Sequence, residues 1–174
     1  MTTSTSTPLR VTLITQRSRA LFRLPEIFNA VDVHVTLIAR PDCELVGSPF
    51  IHSFIPLVGG QPDQDQSFVA DLIRTGALER PEDLGDWIIV SEDREIRLLS
   101  DSSLPAATLD RLLPAKSDLG RSLFDSKAGL TKALTQLNIP QPPTSVAENH
   151  KELEEILNNL DTASLIKANS GHGG

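Results

Sequence analysis

The 174-residue chain has few of the residues that build disulfide frameworks and thiol sites. Cys43 is its single cysteine, and the chain has one tryptophan, one methionine and no tyrosine. One cysteine cannot form an intramolecular disulfide, and Cys43 has neither CxxC spacing nor a nearby pair of histidines. We therefore expect no thiol or metal chemistry at Cys43, and this cysteine usage fits a cytoplasmic protein.

Positive charge and long apolar runs are scarce as well. The 16 Lys and Arg residues stand against 23 Asp and Glu residues, and this net charge of -7 argues against nucleic acid or anionic membranes as main partners. No apolar run approaches the roughly 20 residues of a membrane span. The opening MTTSTSTPLR lacks the charged start and apolar centre of a signal peptide, so residues 1–8 are predicted to be a disordered leader.

What the chain does contain is an alternation of apolar strands and helices that predicts an α/β domain over residues 9–115. Leu9–Thr15 and Val33–Ala39 have the composition of strands. Residues 16–31 between them carry apolar side chains at helical spacing, with a kink or restart expected at Pro25. Because this helix returns to the second strand through a short connection, the two strands are predicted to be parallel.

The same pattern continues through the rest of this domain. It predicts a short strand within residues 51–59, a helix around Phe68 and a fully apolar strand at Trp87–Val90. A short helix between Pro105 and Pro114 closes the unit.

Ser91, Glu92 and Asp93 follow the apolar strand directly, and two interpretations of them are open. In an open parallel sheet, ligands bind at the carboxyl ends of the strands, which is where these residues lie. Alternatively, Ser91 or Asp93 caps the next helix by accepting a hydrogen bond from its free amides.

Residues 116–174 have a different pattern, in which helices dominate. Asp125 is placed to cap a helix that ends at the turn NIPQPP, where Asn138 suits a left-handed backbone. The apolar residues on one face of this helix are Leu130, Leu134 and Leu137. A brief extended piece is predicted at Thr144–Ala147. Asn149 and Glu152 form a capping-box pattern before a second helix, whose apolar stripe is Leu153, Ile156, Leu157 and Leu160.

A strand predicted at Ser164–Ala168 leads into the glycine-rich residues Ser170, Gly171, His172, Gly173 and Gly174. Glycines let backbone amides approach phosphate oxygens closely, although a flexible tail is the alternative. The segment has no GK[ST] and no following helix, which excludes the familiar P-loop. Lys167 stands just before the segment, and two interpretations of it are open. Its ammonium group contacts the same phosphates, or it is an outward-pointing lysine on an edge strand. Lys127 is the first residue of its helix, a position where negative charge is normally favoured. A lysine there suggests a nearby anion, although exposed lysines that cover apolar surface are common.

The order of these features resembles the ATP-grasp superfamily. The resemblance is carried by Asp125-Ser126-Lys127, the leucine-bearing helix, Asn138-Ile139-Pro140-Gln141-Pro142, Leu165-Ile166-Lys167 and Ser170-Gly171-His172-Gly173-Gly174. It implies a Rossmann-like pre-ATP-grasp domain over 9–115, then a helical linker and the first part of an α+β ATP-grasp lobe over 116–174. It also implies that Lys127 and Lys167 contact ATP phosphates under a loop formed by residues 170–174. Two positions depart from the family pattern: Asn138 replaces the usual glycine, and Ala168 replaces a frequent proline.

In this family the adenine-binding linker and the Mg²⁺ ligands follow the glycine-rich loop, and these 174 residues contain neither. The resemblance thus implies an amino-terminal fragment of a carboxylate–amine ligase that is inactive alone, because phosphoryl transfer depends on bound metal ions. ATP, Mg²⁺ and a small-molecule carboxylate are the expected ligands of the complete enzyme, and no catalytic residue or metal ligand is assigned in this chain. The alternatives are a non-catalytic binding or scaffold module, and one half of a split enzyme. An unfinished sheet edge after Ala168 would favour pairing with another chain, as a homodimer or with a complementing chain.

Overall fold

The structure is a computed structural model and describes residues 7–16, 21–59, 65–160 and 164–169. The chain divides into two compact units, the first ending at Lys116 and the second beginning at Ser117. The sequence predicts a boundary near Ala115. That these units are a pre-ATP-grasp domain and the start of an ATP-grasp lobe stays a prediction.

The first unit is an α/β domain built on a parallel, Rossmann-like sheet of four strands. In chain order the strands are β1 (Arg10–Ile14), β2 (His34–Ala39), β3 (Ser53–Pro56) and β4 (Trp87–Val90). They lie in the order β3-β2-β1-β4, and every neighbouring pair is parallel. The predicted fold class and the parallel arrangement of the first two strands are confirmed.

Strands β1 and β2 form the centre of the hydrophobic core. Leu13 and Ile14 in β1, and Val35, Leu37 and Ile38 in β2, are completely inaccessible to solvent. Near-continuous apolar runs of this kind are typical of parallel strands that are covered on both faces. The strands are recognisable in the sequence as apolar runs because both faces of the sheet must be covered by other apolar side chains.

The first helix is shorter than the sequence pattern predicts. Helix α1 spans Leu24–Asn29, and Pro25 stands in its first turn, where a missing N–H costs nothing. The start predicted near residue 16 is wrong at Leu21–Arg23, which form a turn, and residues 17–20 lie outside the described part. Because α1 has only six residues, it cannot bury a long stripe, and Ile27 and Val31 are exposed.

The remaining helices of the first unit are α2 (Asp65–Arg74), α3 (Asp93–Ser100) and α4 (Ala106–Leu112), close to their predicted positions. Two single turns of 3-10 helix, Glu44–Gly47 and Pro81–Leu84, lie in the connections. Helix α2 packs against α3 and α3 against α4, while α4 contacts β4. No helix within the described ranges is long and apolar enough to span a membrane.

The second unit contains α5 (Asp118–Arg121), α6 (Lys127–Gln136) and α7 (His150–Asn158). Ser126 caps α6 by accepting a hydrogen bond from the Gly129 amide at 2.9 Å, so the prediction of Asp125 as the cap is wrong. Asp125 instead adopts a positive φ of 46° immediately before the cap.

The buried face of α6 also differs from the prediction. Gly129 and Ala133 are buried, whereas Leu130 and Leu137 are half exposed or more. Gly129 packs so closely on the Ser122 backbone that a Cβ at this position would collide with the Ser122 carbonyl oxygen. Close backbone approach, which only a small residue permits, selects this face over the leucine face.

Two local predictions in the second unit are confirmed. Asn138 ends α6 with a left-handed φ of 53°. Asn149 caps α7 by accepting from the Glu152 amide at 3.0 Å, and the Glu152 carboxylate accepts from the Glu148 amide at 2.9 Å. Both signals are local, so they survive whatever the surrounding structure does.

The strand predicted at Ser164–Ala168 is not observed. Thr144–Ala147 and Ser164–Ala168 are irregular, and the described residues after Lys116 contain no strand. A strand exists only where a neighbour accepts and donates its backbone hydrogen bonds, and no such neighbour lies among these residues. Leu165 and Ile166 are 79% and 61% exposed as a result.

Candidate functional site

The first candidate site lies at the carboxyl edge of the sheet, between β1 and β4. The chain runs outward from β1 through β2 to β3 and then crosses to β4 on the other side of β1. This reversal is a topological switch point, where open α/β sheets bind ligands. Ile14 and Val90 are partners in register at the ends of the two strands, so the residues that follow them emerge side by side.

Four residues form a hydrogen-bonded group at this edge, which we name the switch-point cluster: Thr15, Gln16, Ser91 and Glu95. Ser91 Oγ lies 2.8 Å from Thr15 Oγ1 and 2.7 Å from Glu95 Oε2. The Gln16 amide donates to Glu95 Oε1 at 2.6 Å. Thr15 is fully buried and Glu95 is 2% exposed, whereas Gln16 and Ser91 are half-buried. The cluster thus joins the ends of β1 and β4 to the first turn of α3.

Burial raises the pKa of Glu95 from its ordinary value of 4.5 to about 7. Its hydrogen bonds from Ser91 and Gln16 oppose this rise, and the nearby charge of Glu92 adds to it. The pKa of Cys43, which is buried after β2, is raised mainly by burial, so its thiol is held neutral. Near neutral pH, Glu95 therefore exists in both protonation states.

The role of Ser91 differs from the capping interpretation. Glu92 is the N-cap residue of α3, and no side chain caps this helix. The Ser91 hydroxyl bonds to the Glu95 carboxyl and the Thr15 hydroxyl instead. Sequence reasoning placed Ser91 at the ligand edge but missed Thr15 and Glu95. The available signal was the spacing of four residues between Ser91 and Glu95, which brings side chains to the same side of a helical turn.

A second buried polar group lies beside the same sheet. Arg40, which follows β2, is 5% exposed and pairs with the fully buried Asp71 of α2 at 3.2 Å. Arg40 also donates to the Gly59 carbonyl at 3.0 Å and to Ser67 Oγ at 3.1 Å, and Arg74 bonds to the other oxygen of Asp71. The buried charges of Arg40 and Asp71 are compensated by their ion pair and by these hydrogen bonds. We therefore interpret the group as a structural link between the end of β2 and α2.

The second candidate site belongs to the second unit and contains the residues predicted to contact ATP. Lys127 is the first residue of α6, and its backbone amide donates to the Asn169 carbonyl at 3.0 Å. Asn169 Oδ1 accepts from the Ala128 amide at 2.8 Å and lies 3.2 Å from Ser126 Oγ. The chain just before the glycine-rich residues is therefore anchored at the amino end of α6.

This anchor occupies the free amides of the helix. Asn169 takes those of Lys127 and Ala128, and Ser126 takes that of Gly129. An anion at this end would consequently be held by side chains rather than by these helix amides. Lys127 is half-buried and Lys167 is exposed. Ser170, Gly171, His172, Gly173 and Gly174 lie outside the described residues.

Among residues 7–16, 21–59, 65–160 and 164–169, no three His, Cys, Asp or Glu side chains are grouped so as to hold a metal ion. No protein-family model and no curated protein sequence matches the chain. One solved structure with a similar fold is an L-amino acid ligase from Bacillus licheniformis, at 15% identity and a TM-score of 0.49. The similarity covers 88% of this chain but only 42% of that protein, and at this level it carries no argument about activity.

Proposed function

We propose that the chain is the amino-terminal portion of an ATP-grasp carboxylate–amine ligase. In the complete enzyme, ATP would activate a carboxylate as an acyl-phosphate for attack by an amine or similar nucleophile. Within this chain, Lys127, Lys167 and residues 170–174 are proposed to contact the ATP phosphates. The proposal starts from the order of motifs between Asp125 and Gly174.

The observation that supports it most is the position of Asn169. Three hydrogen-bonding contacts hold Asn169 against Ser126, Lys127 and Ala128, although more than forty residues separate them in sequence. Lys167 stands two positions before Asn169, and the glycine-rich residues directly follow Asn169. That Asn169 lies against the amino end of α6, where Lys127 stands, supports the proposal that these segments act together.

Each group has a distinct proposed role. The Lys127 and Lys167 ammonium groups neutralise phosphate oxygens as compact charges. The amides of residues 170–174 donate hydrogen bonds, because glycines allow the backbone to approach without an intervening side chain. Asn169 holds the start of this loop beside Lys127. ATP and Mg²⁺ bound in the complete enzyme supply the phosphoryl group and its charge neutralisation.

The test begins with the gene beyond codon 174. If the reading frame continues, the longest in-frame protein is expressed and its ATP affinity is measured by calorimetry with Mg²⁺. Lys167→Ala and Lys127→Ala are each expected to weaken binding by roughly 10- to 100-fold, the effect of losing one charged hydrogen bond. Lys132→Ala is the matched control, because Lys132 is an exposed lysine on the same helix. Unchanged affinity in both test variants would refute the proposed phosphate contacts.

The alternatives give different results. A stop codon after Gly174, with a neighbouring frame that encodes an acidic–asparagine metal motif, would favour a split enzyme. A stop codon without such a neighbour, together with no ATP binding, would favour a binding or scaffold module. The 174-residue chain alone is expected to bind ATP weakly, so submicromolar affinity would contradict the proposal that part of the nucleotide site is absent.

A further inference from the structure

The switch-point cluster has no role in the proposed phosphate site, and the direction of its hydrogen bonds depends on a titratable group, Glu95. A serine hydroxyl carries one proton, so Ser91 cannot donate to Thr15 and Glu95 at the same time. When Glu95 is ionised, Ser91 donates to its carboxylate and accepts from Thr15. When Glu95 is protonated, Glu95 donates to Ser91 and Ser91 donates to Thr15. The protonation state of Glu95 therefore sets the direction of the whole chain of hydrogen bonds.

The carboxyl group of Glu95 also has unused capacity. An ionised carboxylate offers about four acceptor positions, and hydrogen bonds from the Gln16 amide, the Ser91 hydroxyl and the Ser91 backbone occupy three of them. Within the described residues, no lysine, arginine or histidine forms an ion pair with Glu95. This contrasts with Asp71 in the same unit, which two arginines neutralise.

The charged groups around Glu95 favour a positive ligand. Glu92, at the start of the same helix, acts on Glu95 with a like charge, and the neutral thiol of Cys43 lies on the side of β2. The elements β1 and β4 contribute the neutral residues Thr15, Gln16 and Ser91. Helix α2 packs on α3, and its buried Asp71 is already paired. A carboxylate or phosphate ligand would meet the like charge of ionised Glu95 here, whereas an ammonium group would supply an opposite charge that none of the residues in the described ranges brings to Glu95 as an ion pair.

We propose that the switch-point cluster binds the protonated amino group of a small molecule, with Ser91 as the contact residue and Glu95 as the buried counter-charge. Ser91 is half-buried, and when it donates to Glu95 and accepts from Thr15 its oxygen keeps one further lone pair, which can accept from an ammonium N–H. Glu95 is a positioning residue, because it acts through the hydroxyl that it orients. The further step, that this site is the subsite for the amine-bearing substrate of a ligase, rests on the proposed function.

The experiment uses the 174-residue chain, without ATP, and follows backbone amide signals by NMR. The probe is propylammonium chloride, whose charge is constant below about pH 9 because alkyl ammonium groups titrate near 10.4. 1-Propanol is the neutral control of the same chain length, and sodium chloride controls for ionic strength. We expect propylammonium alone to shift the Gln16 and Ser91 amides in a saturable way.

The pH profile separates this site from a structural one. Since Glu95 has a pKa of about 7, the affinity for propylammonium is expected to rise about tenfold between about pH 6 and about pH 8. Glu95→Gln, which keeps the size and the hydrogen-bonding oxygen, should weaken binding at about pH 8 by about tenfold and flatten the profile. Glu92→Gln is the matched control, since it removes a neighbouring charge without altering the cluster, and it should retain the rise with pH.

Three results would overturn the proposal: no shift with propylammonium, equal shifts with 1-propanol, or the same affinity and profile in Glu95→Gln. If Glu95→Gln fails to fold, Ser91→Ala provides the second variant, and it should weaken binding while the chain stays folded. Because these measurements need no nucleotide, their failure leaves the ATP proposal standing. Failure of the Lys127 and Lys167 test likewise leaves amine binding to be judged on its own results.

Discussion

The two units differ in how they bury their apolar side chains. In the first unit, β1 and β2 place whole runs of apolar residues out of contact with solvent. In the second unit, Gly129 and Ala133 are the only buried residues among those described, and the larger apolar side chains stay at the surface. The exposed ones include Leu130, Leu137, Ile139, Leu165 and Ile166. The difference teaches that a parallel sheet packed against helices forms a core, whereas the short helices of the second unit have no sheet among the described residues to pack against.

The largest expected effect comes from breaking the core of the first unit. Leu37→Ala removes a fully buried side chain from β2 and should lower the free energy of unfolding by about 2–5 kcal/mol, because it leaves a cavity. Leu137→Ala, at a position 58% exposed in the second unit, should change it by less than about 0.5 kcal/mol. Chemical denaturation followed by the fluorescence of Trp87 and by circular dichroism measures both. Equal losses of unfolding free energy would show that the second unit has a core that contributes as much stability as that of the first.

The next effect concerns the buried carboxyl of the first unit. Because the pKa of Glu95 is raised in the folded chain, folding favours its protonated form, and stability should fall as pH rises from about 4.5 to about 7. The loss is at most about 3.5 kcal/mol, since each pKa unit corresponds to about 1.4 kcal/mol. Glu95→Gln should remove this component of the pH dependence, measured by denaturation across that range. Stability that rises with pH in the same window, beyond the change seen in Glu95→Gln, would contradict the raised pKa.

The smallest expected effect concerns the helix cap at Asn149 in the second unit. Asn149→Ala removes the cap of α7 and should cost about 1 kcal/mol. Because the second unit has little core, the loss should remain local: hydrogen exchange should accelerate in α7 while the amides of β1 and β2 stay protected. Asn159→Ala is a matched control at the other end of the helix, where the side chain bonds only to the Glu155 carbonyl. Faster exchange throughout β1 and β2 would show that the units unfold together.

Local sequence signals predicted much of the fold. The four strands of the sheet follow apolar runs, and the turn at Asn138 and the cap at Asn149 follow from backbone chemistry within a few residues. Predictions failed where the answer depends on a distant partner. The strand at Ser164–Ala168 lacks a neighbour among the described residues, and α6 buries Gly129 because the Ser122 backbone lies against it.

The candidate sites divide in the same way. The motif order indicated Lys127 and Lys167, and the structure adds that Asn169 links the two segments through the amino end of α6. The switch-point cluster joins residues more than seventy positions apart, Thr15 and Gln16 to Ser91 and Glu95. No periodicity in either segment predicts that contact.

The sequence by itself determined where the first unit forms strands, where α6 ends and where α7 begins, because the apolar runs of the strands, the turn at Asn138 and the cap at Asn149 depend on neighbouring residues. The tertiary structure alone decided that β1 and β4 lie side by side, and hence that Glu95 is buried against Ser91 and Thr15 at the switch point. The physical reason is that desolvation raises the pKa of a carboxyl only where other elements exclude water, and those elements come from distant parts of the chain.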